Sequence, residues 1–285
     1  MDGISLEVSK GEIFGIVGPN GAGKTTTMDC IVSMRRPDSG VISVLGLNPL
    51  GQRKTLLEKV GIQQQESELP DRMKVREAME LFSCFYKNPM ETGGILSKLG
   101  LSDKAESYFS ALSGGQKKRL FVALSLVGDP EIVFFDELTS GLDPRSRRSM
   151  WDLVRGLKDD GKTVFLSTHY MDEAEKLCDR VAIVDRGRIV ALDTPDSLVR
   201  SHAFALNVVM GIPSDFREND LESIPGVLEV SREGAHVTAR VQDSLAVVEI
   251  VKLLVDRKIE LGNFHTEKST LEDVFLKLTG KEIRN

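Results

Sequence analysis

The sequence has no hydrophobic run long enough to cross a membrane. A transmembrane helix needs about 20 consecutive apolar residues, and no apolar run approaches this length although 41% of the 285 residues are hydrophobic. The first residues, Met1–Ile4, provide neither a basic segment nor an apolar core, so no secretory signal peptide is expected. The chain itself is therefore predicted not to span a bilayer.

Cysteine, histidine and positive charge are also scarce. The three cysteines, Cys30, Cys84 and Cys178, are odd in number and far apart, which favours reduced thiols in a cytosolic protein over a disulfide framework. The four histidines show no metal-ligand spacing. With a net charge of −6, the chain lacks the basic surface of a protein that binds nucleic acid through charge.

A glycine-rich loop follows the apolar run Ile13–Val17. Its sequence, GPNGAGKT, fits the pattern G-x-x-x-x-G-K-[ST] and leads into a predicted helix, so its backbone amides can wrap a phosphate chain. Lys24 would reach the β- and γ-phosphates, and the Thr25 hydroxyl would bind Mg²⁺. The alternative, a flexible turn with an incidental lysine, is disfavoured by the flanking strand and helix. The predicted nucleotide-binding residues are Gly18, Pro19, Asn20, Gly21, Ala22, Gly23, Lys24, Thr25 and Thr26.

Two adjacent acids end a second apolar run, Ile132–Phe135. Asp136 closes that run and Glu137 follows it. A carboxylate at a strand end beside a phosphate loop can hold Mg²⁺ through water, and its neighbour can polarise an attacking water as a general base. Two acids that merely end a strand at the surface are the alternative. The phosphate loop elsewhere in the chain favours the catalytic interpretation, with Asp136 for the metal and Glu137 as base.

The segment Ser113–Gln116 predicts a second anion site. Ser113 can cap the helix that follows, and Gly114 and Gly115 would expose amide groups at its positive end. Two helix ends that can bind phosphate in one domain suggest that one of them binds the nucleotide of a partner subunit. Taken alone, the segment would be an ordinary helix cap.

Strands that alternate with helices predict an α/β fold with a largely parallel sheet. A helical stretch is expected from Val75 to about Val127, and Asp143-Pro144 is a helix start signal. The further strands predicted in this part of the chain are Val41–Leu45, Thr163–Leu166, and a hairpin of Val181–Val184 with Ile189–Leu192.

A boundary near Ser201 separates a small second domain. Its elements follow the order βαββαβ, which suits a ferredoxin-like unit. They are predicted at Ala203–Met210, Asp215–Ser223, Val227–Ser231, His236–Val241, Ser244–Arg257 and Leu261–Glu267.

The motifs stand in the order and spacing of ATP-binding cassette (ABC) ATPases, which the chain resembles from about Ile4 to Leu198. The resemblance rests on the phosphate loop, the L-S-G-G-Q segment and the F-F-D-E strand. It implies an α/β fold, with a P-loop NTPase (ABC ATPase) core, a helical subdomain at about 66–127 and a small α+β C-terminal domain. The nucleotide-binding domain would cover 1–200 and the accessory domain 201–285.

The resemblance assigns further residues. Gln65 is similar to the glutamine that senses Mg²⁺ and couples to a transmembrane partner, with Gln63 and Gln64 as alternative choices of register. Asp143, at the end of a Ser-Gly-Leu-Asp loop, corresponds to a loop that crosses the dimer interface. His169 resembles the switch histidine that contacts the γ-phosphate and is counted with Glu137 as catalytic.

The function implied is an ATP-binding and ATP-hydrolysing subunit of a membrane exporter. Two subunits, identical or different, would sandwich two ATP molecules with Mg²⁺, each bound by one phosphate loop and the other subunit's Ser113–Gln116. Residues 66–100 would dock onto a separate integral-membrane permease at the cytoplasmic face of a membrane, and no nucleic acid would bind. The alternatives are a soluble ABC ATPase unconnected with transport and a degenerate regulatory cassette.

Two regions refine this interpretation. Ser269–Gly280 resembles the ending of daunorubicin-resistance exporter ATPases, and its apolar stripe is also that of an ordinary amphipathic helix. No aromatic residue precedes Phe14, whereas family members carry an additional first strand and an aromatic residue that stacks on adenine. This departure predicts GTP binding within about tenfold of ATP. Leu138 replaces the family's usual proline without changing a catalytic group.

Overall fold

The structure, a computed structural model, describes residues 1–65, 67–202, 206–213, 216–234, 236–259 and 262–280. Glu66, the start of the predicted helical and docking segments, lies outside the described residues. So do parts of three elements predicted for the second domain: Ala203–Ala205, Asp215 and Leu261. The chain divides into two compact units, Met1–Thr194 and Pro195–Asn285, a division six residues before the boundary expected from the sequence.

The first unit contains a six-stranded sheet with the order β2-β3-β4-β1-β5-β6. Neighbouring strands are parallel except for the antiparallel hairpin of β5 and β6. This arrangement confirms the predicted α/β fold and the hairpin. The strands are β1 (Ile13–Val17), β2 (Val60–Gln63), β3 (Ile132–Asp136), β4 (Thr163–Thr168), β5 (Arg180–Asp185) and β6 (Arg188–Asp193).

The central strands are buried on both faces, as their continuous apolar sequences require. Phe165 lies between Phe14 and Phe134, with both pairs of ring centroids 5.6 Å apart. Met28 and Leu56 complete this side of the core. The apolar packing fixes the three strands whose ends carry the predicted site.

Seven α-helices of the first unit are described. Two of them have strong side-chain caps: Ser113 and Gln116 form a capping box at the start of α5, and Asp143 accepts the amides of Arg145 and Ser146 at the start of α6. No described helix is long and apolar enough to span a membrane. The helices are α1 (Lys24–Ile31), α2 (Arg53–Leu57), α3 (Val75–Ser83), α4 (Thr92–Lys98), α5 (Gly114–Leu126), α6 (Pro144–Asp159) and α7 (Met171–Leu177).

Two predictions about secondary structure are wrong. The segment 41–45 is not a strand, because Leu45 and Gly46 have φ values of 53° and 75° that turn the chain, leaving one isolated bridge from Val44 to Leu47. The helical stretch predicted to continue to about Val127 is interrupted between α3, α4 and α5, where Gly100 has a φ of 64°. Short apolar runs occur in strands and in other segments, and single glycines occur both inside helices and at their ends. These patterns alone therefore did not decide either case.

The second unit has a four-stranded antiparallel sheet of order β10-β7-β9-β8. This confirms the βαββαβ order, although the first helix of that pattern is limited to four residues. Val208, Val237 and Ile250 lie in its buried core. The elements are α8 (Pro195–His202), β7 (Leu206–Gly211), α9 (Asn219–Glu222), β8 (Val227–Glu233), β9 (His236–Val241), α10 (Ser244–Asp256), β10 (Gly262–Glu267) and α11 (Leu271–Thr279).

Candidate functional site

The predicted site lies where three neighbouring parallel strands end. Strand β1 pairs with β4, and β4 pairs with β3. Because the carboxyl ends of parallel strands share one edge of the sheet, the phosphate loop after β1, the acids at the end of β3 and the histidine after β4 come together there. Gly18 donates its amide to the carbonyl of Thr168 at 3.4 Å, which joins the loop to β4.

Two glycines are required by the geometry of the phosphate loop. Gly23 has a φ of 105°, in the left-handed region that side chains disfavour. A Cβ on Gly18 would lie 2.1 Å from the carbonyl oxygen of Val184, so only glycine permits this close approach. The loop can therefore bend tightly into α1 and present its backbone to a ligand.

The Lys24 side chain folds back over this loop. Its Nζ donates to the carbonyls of Gly18 at 2.8 Å and Pro19 at 3.1 Å, and it lies 3.8 Å from Oε1 of Glu137. Burial lowers the pKa of Lys24, and the carboxylates of Glu137 and Asp136 partly oppose this. A buried ammonium with only weak ion-pair geometry is well suited to a strongly charged phosphate.

Asp136 is buried and lies against two hydroxyl groups. It accepts from Thr25 at 3.4 Å and also from Ser167. Burial raises the pKa of Asp136 despite these hydrogen bonds. The site thus pairs a desolvated carboxylate with the Thr25 hydroxyl, as the sequence predicted for a Mg²⁺ site.

The donor set fits Mg²⁺ bound together with a nucleotide. No group of three or more His, Cys, Asp or Glu side chains that could hold a metal occurs among the described residues. Magnesium at phosphate sites typically takes one or two protein oxygens and completes its shell with phosphate oxygens and water. Asp136 and Thr25 provide that small number.

Glu137 is the point at which three other predicted site residues meet. Its Oε2 accepts the side-chain amide of Gln65 at 3.0 Å, while its Oε1 faces Lys24 at 3.8 Å and Nδ1 of His169 at 3.3 Å. Its φ of 48° is a left-handed conformation that few non-glycine residues adopt. Such a conformation is typical of residues held for a function.

His169 has a buried ring nitrogen close to Glu137. Its Nδ1 is buried and, despite the short distance to Glu137, has no hydrogen-bond partner of acceptable geometry among the described residues. The centroids of the His169 and Tyr170 rings are 4.0 Å apart, and the guanidinium carbon of Arg147 lies 4.1 Å from the centroid of the Tyr170 ring. A buried nitrogen without a partner is costly, so a phosphate oxygen would be a favourable partner.

The second predicted anion site stands apart from these residues. Ser113 accepts the amide of Gln116 at 3.3 Å, and the Gln116 side chain accepts the amide of Ser113 at 2.9 Å. In the described chain no hydrogen bond or ion pair joins this segment to the phosphate loop. A Cβ on Gly114 would meet no described atom within 4 Å, so the helix end faces open space. Gly115 packs near Ser146, in the first turn of α6.

The structure therefore brings together Lys24, Thr25, Gln65, Asp136, Glu137 and His169, and it places Ser113–Gln116 and Asp143 at two other helix starts. Of the glutamines considered, it is Gln65 that reaches the acids. Sequence reasoning missed Ser167, which bonds Asp136, and Lys118, whose pKa is lowered by burial near both acids. Ser167 directly follows the predicted strand Thr163–Leu166, where polar residues are common, so no pattern in the sequence singled it out.

Two sequence profiles match the chain. Residues 1–140 match the ABC transporter family. Residues 200–279 match the C-terminal domain of DrrA1-3-like ATP-binding proteins. The first match covers the phosphate loop, the Ser113–Gln116 segment and both acids, and the second covers most of the second unit.

Individual relatives extend over the whole chain. The Nod factor export ATP-binding protein I of Ralstonia nicotianae is 35% identical over 100% of this chain and 90% of its own length. The daunorubicin resistance ATP-binding protein DrrA2 of Streptomyces coeruleorubidus is 33% identical over 100% of this chain and 92% of its own length. A solved dimeric bacterial ABC transporter cassette, 25% identical, superimposes with a TM-score of 0.59, covering 66% of this chain and 88% of that one.

Proposed function

Because the chain belongs to the ABC transporter family of ATP-hydrolysing proteins, we propose that it binds MgATP at Gly18–Thr26 and that hydrolysis there powers export through a separate membrane-spanning partner. The observation that carries this proposal is the contact of Lys24, Gln65 and His169 with Glu137, beside the Thr25–Asp136 pair.

The phosphate chain would displace the contacts that Lys24 makes with the loop carbonyls. Lys24 would then bind the β- and γ-phosphates, while the amides of the loop and the positive end of α1 surround them. The unpartnered Nδ1 of His169 supports a contact between this side chain and the γ-phosphate. All of these contacts act on the group that is transferred.

Thr25 and Asp136 would hold Mg²⁺, with Gln65 beside them. When bound, the ion would neutralise charge on the phosphate oxygens. The Gln65 amide group directs its nitrogen at Glu137, which leaves its carbonyl oxygen available for the ion. Gln65 would thus report the presence of the ion to the general base.

Glu137 would accept the proton of the attacking water. When Lys24 binds the nucleotide, it no longer contacts Glu137. The Glu137 carboxylate can then accept a hydrogen bond from this water. Gln65 would hold Glu137 in position, since its side-chain nitrogen donates to Oε2 of the carboxyl group.

We further propose a head-to-tail dimer, identical or mixed, with two composite sites. The open helix end at Ser113–Gln116 has no nucleotide-binding partner within its own described unit, which supports its use by the other subunit. The dimeric cassette reported above is consistent in fold with this arrangement. Gly115 lies near Ser146 in the first turn of α6, the helix that Asp143 caps. Asp143 would therefore lie at the same dimer interface, in the loop that crosses it.

A groove supports the predicted docking of a permease. It has a volume of about 880 Å³ and is lined by Gln63, Gln64, Phe82, Phe85 and Phe121, among others. Phe85 is 71% exposed, which is unusual for a large aromatic side chain. Because the groove adjoins Gln65, an occupant would lie one residue from the contact with Glu137. The chain would then be peripheral at the cytoplasmic face of the membrane.

The similarity to a protein named for Nod factor export favours transport over an ABC ATPase unconnected with transport. The degenerate cassette is disfavoured because Lys24, Asp136, Glu137 and His169 are all present and close together.

Hydrolysis of MgATP by the purified chain tests the proposal. Lys24→Ala should lower phosphate release at least about 100-fold, the loss expected when a group that stabilises the transferred phosphate is removed. Lys10→Ala, at an exposed turn, is the matched control and should hydrolyse ATP like the wild type. Equal activity in all three proteins would contradict the proposal.

A further inference from the structure

One buried carboxyl group has no part in the hydrolysis described above. Glu173 lies on α7 and is only 3% exposed. Its Oε1 accepts from the Thr139 hydroxyl at 2.8 Å and from the indole nitrogen of Trp151 at 3.1 Å, and its side chain also bonds the Thr168 hydroxyl. These partners are neutral. Burial raises the pKa of Glu173, and the three hydrogen bonds only partly oppose this.

A buried carboxyl group supported by neutral donors is expensive for the fold. An apolar side chain of similar size would fill the same space without this cost. Such a group is therefore expected where its hydrogen bonds hold several segments in a defined arrangement.

The three donors come from the loop after β3, the end of β4 and helix α6. Thr139 lies two residues after Glu137 and four before Asp143. Thr168 directly precedes His169. Trp151 belongs to α6, the helix that Asp143 caps. One carboxyl group thus joins the loop leading to Asp143 with the strand end that carries His169.

A second contact joins the same helix to the same histidine. Arg147, in the first turn of α6, lies 4.1 Å over the ring of Tyr170, whose ring is 4.0 Å from that of His169. Arg147 also donates its backbone amide to the carbonyl of Asp143. Helix α6 therefore touches the segment around His169 through two separate groups of side chains.

We infer that Glu173 is a positioning residue that makes His169 respond to the loop ending at Asp143. The inference rests on the proposed function, because it concerns the same hydrolysis site. When a second subunit moves that loop, Thr139 and Trp151 move the Glu173 carboxyl group, which moves Thr168 and the histidine beside it. Glu173 itself touches none of the reacting atoms.

A double-mutant cycle tests whether this effect passes through His169. Thr139→Val removes one hydrogen bond to Glu173 and keeps the shape of the side chain. We expect kcat for MgATP to fall about tenfold with KM within about twofold of wild type, and no further fall when Thr139→Val is added to His169→Ala. Equal losses in both backgrounds would overturn the inference.

Thr163→Val is the matched control. Thr163 is also buried in the first unit, and its hydroxyl accepts the amide of Gly11 at 2.9 Å, at the opposite end of β4. It should lower the melting temperature to a similar extent as Thr139→Val but leave kcat unchanged. If Thr139→Val and Thr163→Val both lowered only stability, Glu173 would be a structural residue and the inference would be wrong.

The single tryptophan of the chain gives a readout that does not depend on hydrolysis. Trp151 is bonded to Glu173, and the sequence has no other tryptophan. We expect MgATP to change its emission in Glu137→Gln, and Thr139→Val to abolish that change. The same change with and without Thr139→Val would overturn the inference. Full hydrolysis by Lys24→Ala would instead overturn the proposed function, and the emission experiment would still decide the inference.

Discussion

The side-chain nitrogen of Gln65 lies 3.0 Å from Oε2 of Glu137. This contact joins the end of β2, at the edge of the sheet, to the acid after β3. It also joins the groove beside β2 to the proposed general base, because Gln63 and Gln64 line that groove. A change at the groove can therefore reach Glu137 through one side chain.

Gln65→Ala should make hydrolysis more dependent on Mg²⁺. The variant loses both the contact with Glu137 and the carbonyl oxygen proposed for the ion, so we expect the half-saturating Mg²⁺ concentration to rise about tenfold. A Mg²⁺ titration of phosphate release at fixed ATP measures this. Gln64→Ala is the control, since the exposed Gln64 amide contacts only the sulfur of Met34 in the described structure. A shift of equal size in both variants would contradict the role of Gln65.

Ser113→Arg should block closure of the dimer without weakening ATP binding to the monomer. The bulky side chain would fill the open space at the start of α5, which is proposed to face the other subunit's nucleotide. Calorimetric titration and phosphate release measure the two properties. A loss of monomer affinity as large as that of Lys24→Ala would contradict the assignment in trans.

Mixing Ser113→Arg with Lys24→Ala provides an additional test. A mixed dimer carries both substitutions in one composite site and leaves the other site intact. Random pairing should restore up to about a quarter of wild-type hydrolysis if the two sites act independently. No restoration of hydrolysis is expected if each nucleotide is bound by residues of one subunit alone.

Asp136→Asn should stabilise the protein when no nucleotide is present. Burial raises the pKa of Asp136 above its unfolded value, so the folded state binds the proton more tightly and stability falls as the pH rises through that pKa. Removing the charge should raise the melting temperature at pH 8 by about 2–4 °C, the shift that ~1 kcal/mol gives in a unit of this size. Hydrolysis should be lost.

The pH dependence supplies the control for this prediction. The advantage of Asp136→Asn should shrink as the pH is lowered through the raised pKa of Asp136, because protonation removes the same charge from the wild type. Thermal unfolding over a series of decreasing pH values from 8, in the presence of EDTA, measures it. A lower melting temperature for Asp136→Asn at pH 8 would show that the charged form is stabilised by Thr25, Ser167 and Lys24.

Phe85→Asp should weaken binding to the membrane partner. A charge in place of the exposed ring would be buried in the groove, and we expect at least a tenfold loss of affinity. Sedimentation with salt-washed membrane vesicles of the source organism measures it. Val41→Asp is the control, because Val41 is 96% exposed and does not line the groove. Equal binding of Phe85→Asp and Val41→Asp would place the docking surface elsewhere.

The buried strands β1, β3 and β4 could be predicted because their apolar runs are continuous and end in turn or catalytic residues. Strand β2 was not predicted, because its run Val60–Gln63 is short and contains a glycine. The same reasoning failed at 41–45, where Val41 is almost fully exposed and Leu45 turns the chain. A short apolar run does not reveal whether a neighbouring strand exists to pair with it. Burial on both faces therefore made β1, β3 and β4 predictable, while the partly exposed β6 was predictable from the turn that joins it to β5.

The site was predictable in its motifs and less so in its supporting residues. Lys24 and Glu137 belong to local patterns with a chemical reason for each residue type. Ser167 and Glu173 depend on which segments the fold brings together, and nothing in their immediate sequence distinguishes them from other polar residues near strand ends. Their roles follow from hydrogen bonds across the sheet.

Phosphate release by Glu137→Gln tests the central claim most directly. If Glu137 polarises the attacking water, the variant should bind ATP within about threefold of wild type but hydrolyse it at least about 100-fold more slowly, and an ATP-bound dimer should be seen by size-exclusion chromatography. Glu131→Gln, at the exposed residue just before the same strand, should hydrolyse ATP normally. Wild-type turnover by Glu137→Gln would contradict the account.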